Sequence, residues 1–198
     1  MLFATAFACF AILALCAIIM TAQAQCYQSV PRTLDMGTFS VDYDSALMIP
    51  VTARWVCSGE YLAKTRRDPS WRFVEDDRVG LPRARHDDYT HSGYDRGHLC
   101  PAGDRSATTQ LMRSTFIMTN VCPQVPALNR GAWKRLEEAC RAIARNGRDL
   151  SIQVDAVFWA ADTERIGRNG VAVPHGFVKT IRDIPTDTIC YSKYFQNW

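Results

Sequence analysis

Asp95, Arg96, Gly97 and His98 stand in a row, between turn-forming Ser92-Gly93 and Pro101-Ala102-Gly103. His98 is one of four histidines. Histidine is the side chain whose ordinary pKa lets it act as a neutral base near pH 7. Arg96 stays cationic at any working pH, and Gly97 removes steric cover. The pattern suits a base working beside an anion. Downstream, Asn120 and Asn129 offer amide oxygens. These are hard, neutral ligands able to hold a magnesium ion that keeps most of its waters and also takes phosphate oxygens. Asn129 equally fits a helix N-cap, and one side-chain oxygen cannot serve both roles in full. Glu137 lies about 12 Å further along the same helix, on a neighbouring face. From there it could reach the site through a water, or pair with Arg141 four residues on.

The charge inventory leans the same way. Of 23 cationic residues only Lys64, Lys134, Lys179 and Lys193 are lysines, and the rest are arginines. Arginine makes planar, two-pronged contacts with phosphate. The net charge of +3 and the apolar share of 47% describe an ordinary globular chain, and 198 residues support one domain with a real core.

These residues need elements to position them. Ala46–Val56 reads as a strand interrupted by Pro50, and residues 59–90 as a long ordered loop of the kind that carries function. A short helix is expected over 104–113, a strand over Thr115–Asn120, and a loop from Cys122 to Pro126. Apolar residues at steps of three and four predict a helix from about Arg130 to Arg145, with Asn129 as its N-cap and Gly147 just past its end. Ser151–Ala160 and Val171–Ile181 read as buried strands, the second broken near Pro174, and the aromatic tail Thr188–Trp198 packs down. The fold class is α+β, a central antiparallel sheet flanked by helices and large loops. His86 and His91 read as loop residues near the site, and His175 has no partner to name.

The first 24 residues carry no charged side chain and end in Ala22-Gln23-Ala24. They read as a secretory signal cut before Gln25, with an uncleaved anchor as the alternative. Residues 25–198 would then be a single domain, secreted or periplasmic, with no stable membrane association after cleavage. Six cysteines would remain: Cys26, Cys57, Cys100, Cys122, Cys140 and Cys190. In an oxidising compartment they predict up to three disulfides. No CxxC pair exists to favour a zinc knuckle.

Taken together, DRGH at 95–98, Thr119-Asn120, PQVPALNRGAW at 123–133 and Leu136-Glu137 resemble the DNA/RNA non-specific endonuclease family, which has a ββα-metal (His-Me finger) core. Order, spacing and local context match over roughly residues 55–179. The resemblance implies an endonuclease that hydrolyses DNA and RNA with little sequence specificity and depends on Mg²⁺, with Mn²⁺ as a substitute. It implies that His98 takes a proton from water and that Asn129 is the direct protein ligand of one Mg²⁺. Glu137 would organise the metal's waters, Asn120 would help hold that arrangement and the substrate phosphate, and Arg96 would stabilise charge near phosphorus. The family also uses an arginine ahead of an F-x-x-D stretch, matched here by Phe73-Val74-Glu75-Asp76. Arg66, Arg67 and Arg72 compete for that place, with Arg67 preferred. A homodimer is compatible with the family. Asp155–Trp159 departs from the family's Thr-Gly-Pro turn. Two other classes compete: a catalytically silent nucleic-acid-binding module, and a cysteine hydrolase built on Cys100.

Overall fold

Alternation of inward and outward side chains builds the central sheet. In a computed structural model, which describes residues 30–63, 65–159 and 163–198, six strands pair antiparallel. They are β1 (Arg32–Asp35), β2 (Phe39–Asp44), β3 (Ile49–Cys57), β6 (Leu150–Val157), β9 (Gly176–Asp183) and β10 (Thr188–Gln196), and they lie in that spatial order. β9 shows the period of two: Phe177, Lys179 and Ile181 are buried while Val178, Thr180 and Arg182 are half-exposed. A two-stranded ribbon of β7 (Arg165–Ile166) and β8 (Val171–Ala172) precedes β9. Among the described residues no helix is long and apolar enough to cross a membrane.

Between β3 and β6 the chain leaves the sheet. The excursion holds the expected long loop, a second ribbon of β4 (Asp95–His98) and β5 (Val121–Gln124), and two helices, α1 (Thr109–Ser114) and α2 (Lys134–Arg145). The strand expected over Thr115–Asn120 therefore lies further on, and Met118–Asn120 is a 3₁₀ turn. The segment expected to be loop carries the strand instead. Pro123 is tolerated there because β5 has a partner on one side only.

In this ribbon Gly97 pairs with Cys122 and His98 with Val121. A Cβ on Gly97 would run into Oε1, Cδ and Cγ of the buried Gln124. The overlap reaches back to Cγ, so turning the amide alone cannot relieve it. Gly97→Ala is expected to destabilise the protein by about 1–3 kcal/mol, the cost of overpacking. Chemical denaturation of the variant checks this, and an unchanged midpoint would show that Gln124 moves aside freely.

The helix also starts differently from expectation. Leu128–Trp133 forms a wide π-type turn in which Gly131 leaves helical geometry (φ −105°, ψ −110°), and α2 proper begins at Lys134. Asn129 lies inside that turn, where its backbone N–H donates to Val125 O at 3.0 Å. It is not an N-cap, which releases its side chain for other work.

The expected disulfides are not formed among the described residues. Cys57, Cys100, Cys122 and Cys140 are buried free thiols and Cys190 is an exposed one. The four buried thiols fill the core as small apolar groups. Burial pushes all four up, Cys140 to about 11 and the others further. Cys26 and the expected signal with its cleavage point lie outside the described residues.

Candidate active site

The β4–β5 ribbon, the π-type turn and α2 face the 59–90 loop across a cavity of about 660 Å³. His98, Arg96, Asn129, Glu137 and Arg67 all line it. Asn120 does not.

His98 comes from the end of β4. Its ring lies between Phe73 and Phe116, at centroid distances of 4.7 and 4.8 Å. The 59–90 loop is fastened to bring Phe73 there: Val74 N–H donates to Phe116 O, and Met118 N–H to Val74 O. The Thr119 hydroxyl adds a bond to Asp76 Oδ2 at 2.7 Å. His98 Nε2 is buried and has no hydrogen-bond partner. Burial among the aromatic rings, reinforced by the Arg67 charge, pushes the imidazole down to about 3. The imidazole is therefore neutral at working pH.

The three competing arginines differ in position. Arg67 lines the cavity with its guanidinium 4.7 Å above the Phe116 ring, whereas neither Arg66 nor Arg72 lines it. Arg96, on β4, is clamped to the far end of the 59–90 loop. Its Nε and Nη2 donate to His86 O, and Nη2 also reaches Thr90 Oγ1. Arg130, Lys134 and Arg141 join these two, against the acids Asp95 and Glu137. The cavity thus carries a surplus of positive charge, suited to an anion.

Asn129 is aimed by Asp95. Its Nδ2 donates to Asp95 Oδ2 at 2.9 Å, which fixes which end of the amide is the donor and leaves Oδ1 as the open acceptor. Arg130 Nε donates to the same carboxylate oxygen at 2.8 Å. Burial works to raise the Asp95 carboxyl, but the bonds from Arg130 and Asn129 win and hold it below its ordinary range. Glu137, on α2, is mostly buried. Burial pushes it up to about 7, against the pull of Lys179 at 3.9 Å and Arg141 at 4.0 Å.

Asn120 is fully buried and every polar atom of its amide is used. Oδ1 accepts from Cys100 N–H at 2.9 Å, and Nδ2 donates to Cys100 O at 2.9 Å and Thr115 O at 3.0 Å. It pins the chain just after His98 and has no atom to offer a phosphate. Cys100 is likewise fully buried with its thiol pushed far up, and it does not line the cavity. A protonated, enclosed thiol is no nucleophile, which removes the cysteine-hydrolase alternative.

Several residues here were not singled out in the sequence. Asp95 belongs to the DRGH run itself. Asp104 accepts from Trp55 Nε1 at 2.8 Å and from Arg141 Nη1 at 2.9 Å, and so braces α2. Lys179 could have been found by its inward place in β9, where the strand period predicts an apolar side chain.

The donor set fits a hydrated divalent cation. Among the described residues no three His, Cys, Asp or Glu side chains gather as a metal cage. The cavity instead offers one oriented amide oxygen, with the carboxylates of Asp95 and Glu137 on the same lining. That suits Mg²⁺, which keeps several waters and takes phosphate oxygens from its substrate.

The profile described as DNA/RNA non-specific endonuclease matches residues 21–194 of the chain. A nuclease from Nostoc sp. is 38% identical over 104 residues, which cover 51% of this chain and 38% of that protein. Human mitochondrial endonuclease G is 37% identical over 142 residues, covering 65% of this chain and 48% of that protein. The chain thus spans less than half the length of these relatives. In the solved EndoG/EndoGI complex, a similar fold superposes with a TM-score of 0.76 at 26% identity, covering 87% of this chain and 76% of that one. The antiparallel sheet and this likeness bear out the α+β, ββα-metal expectation. The expected secreted or periplasmic destination is overturned. Besides human endonuclease G, relatives from Danio rerio and two yeasts are mitochondrial nucleases. The segment on which that expectation rested, residues 1–24, lies outside the described residues.

Proposed function

Because the chain belongs to the DNA/RNA non-specific endonuclease family, we propose that residues 25–198 form one nuclease domain that cuts DNA and RNA with little regard to sequence, using Mg²⁺ or, in its place, Mn²⁺. The observation that carries this reading is the neutral His98 ring lining a cavity rich in fixed cations and an oriented Asn129 oxygen. His98 takes the proton from the attacking water, an effect of about 10²- to 10⁴-fold in such reactions. Arg67 and Arg96 place fixed positive charge where the phosphate gains negative charge, and Arg96 needs no rearrangement because His86 and Thr90 already hold it. Asn129 and Glu137 would hold the ion, the first directly and the second through its waters. An ion held there would supply positive charge to offset that of the phosphate and of the departing oxygen. Contacts of this kind go to phosphate, so they position the strand without reading its bases.

Plasmid nicking by the full chain, with Mg²⁺ against EDTA, tests the reading. Cutting is expected only with the free metal, and iodoacetamide should leave it unchanged because the cavity offers no thiol. A well-folded protein that fails to cut with Mg²⁺ would overturn the proposal.

A further inference from the structure

The wall that the 59–90 loop gives to the cavity carries one aromatic ring with no part in the proton transfer or the charge balance. Trp71 lines the cavity beside Arg67, Phe73 and His98. A tight turn presents it. Pro69 sets the turn, and Trp71 N–H donates to Asp68 O at 3.1 Å. The Asp68 carboxylate braces the turn by accepting from Ser70 N–H at 2.8 Å and from Ser70 Oγ at 2.7 Å. The indole packs nearly perpendicular to the Phe116 ring, with 5.4 Å between centroids. Phe73 and Phe116 are buried, whereas Trp71 is only half-buried. The row of rings that starts at His98 therefore ends in an indole partly open to the cavity. The Arg67 guanidinium lies 4.7 Å above the same Phe116 ring, so a cation and an indole share one support.

Packing alone does not account for an indole here. Phe73 and Phe116 already enclose His98. A large ring left half in water, on a lining rich in charged groups, gains only part of its burial energy. An aromatic surface beside cations that track a phosphate backbone is the combination that holds unpaired bases. We propose that Trp71 is a stacking site for an unpaired nucleobase next to the phosphate in the cavity, so that the protein takes single-stranded DNA or RNA in preference to duplex. This rests on the nuclease reading for the place of the phosphate. In a duplex each base face is covered by its neighbours, and a base must leave the stack to meet the indole. Stacking touches no base edge, so the preference is for strandedness and not for sequence.

Trp71→Leu and Trp71→Phe both keep an apolar side chain against Phe116, and only the second keeps a ring. Binding to the full chain is measured in EDTA with three labelled strands: oligothymidine, oligouridine and an abasic strand with the same number of phosphates. Trp71→Leu should weaken the base-bearing strands about 5- to 150-fold, the range for one lost base stack. Trp71→Phe should cost much less. Affinity for the abasic strand and the salt dependence of binding should stay as in the wild type, because no phosphate contact is lost. Loss on either base-bearing strand supports the site and shows which sugar it accompanies. Equal loss on the abasic strand, or a flatter salt dependence, would mean that Trp71 merely props Arg67, and the proposal would fall. It would fall equally if Trp71→Leu bound the base-bearing strands as the wild type does, or if the wild type bound none of them. Should Trp71→Leu not fold, quenching of indole emission by oligothymidine reads the same stack, and it should diminish in Trp71→Phe; undiminished quenching counts against the site. None of these readings needs cleavage, so they hold whether or not the chain cuts. With Mg²⁺, Trp71→Leu should slow the cutting of single strands more than the nicking of plasmid.

Discussion

His98→Ala is expected to lower nicking by about 10²- to 10⁴-fold and to leave the protein folded. The structure explains both halves. His98 Nε2 makes no hydrogen bond, so its removal orphans no partner on that side. The ring fills space between Phe73 and Phe116, and Ala gives up that packing but also relieves a buried, unsatisfied nitrogen. The acid limb of stability should change as well. Burial holds the native imidazole at about 3, against an ordinary value of 6.5. Below 6.5 the unfolded chain takes up a proton that the folded chain refuses, so stability is fully present above that value and is lost as pH falls toward 3. Urea midpoints measured from about pH 4 to about pH 7 should fall less steeply in His98→Ala than in the wild type. Nicking at wild-type rates by the variant would place the base elsewhere.

The second large effect belongs to Asn129. Asn129→Ala removes the oriented oxygen, and the expected result is a loss of at least about 100-fold, beyond the 10- to 100-fold typical of residues that only support a ligand. Half-maximal Mg²⁺ should rise in parallel. Asn129→Asp is the sharper test. A carboxylate is ordinarily a good Mg²⁺ ligand, yet here it would replace a donor that lies 2.9 Å from Asp95. Two carboxylates at that distance repel, and one tends to take up a proton. Asn129→Asp is therefore expected to stay impaired at neutral pH. Wild-type metal dependence in the Asp variant would mean that the Asp95 bond does not orient residue 129.

The candidate site was legible where the chemistry lies in a contiguous run. DRGH, the Asn129 turn and Glu137 could be found because each is local and its residue types are unusual together. The geometry around them was less legible because it depends on distant partners. Asn129 before an apolar-periodic stretch looks like a cap, but the π-type turn at Leu128–Trp133 shifts the start of α2 to Lys134. Nothing in residue spacing distinguishes the two kinds of turn. Asn120 sits next to the ribbon, yet its amide is spent on Cys100 and Thr115. Pro123 looked like a strand breaker, and only the one-sided pairing of β5 explains its place. The cysteines were read through the compartment assumed for them, and no disulfide forms among the described residues. Lys179 was readable in principle, as a cation on the apolar phase of β9, but its partner Glu137 is remote in sequence and adjacent only once β9 packs against α2.

Cys57 and Leu150 lie opposite each other where β3 meets β6. Every residue lining the cavity, from Arg67 to Arg141, falls between them in the chain. The closure entropy of such an insert grows only slowly with its length. The register of β3 on β6 therefore constrains where the insert begins and ends, and scarcely constrains what it contains. The catalytic apparatus is in this sense a replaceable cassette. Its loops can lengthen, shorten or change charge to suit another substrate while the sheet beneath stays in step. Lys179, supplied by the sheet, is a fixture of the frame that a new cassette would have to meet with an acid of its own.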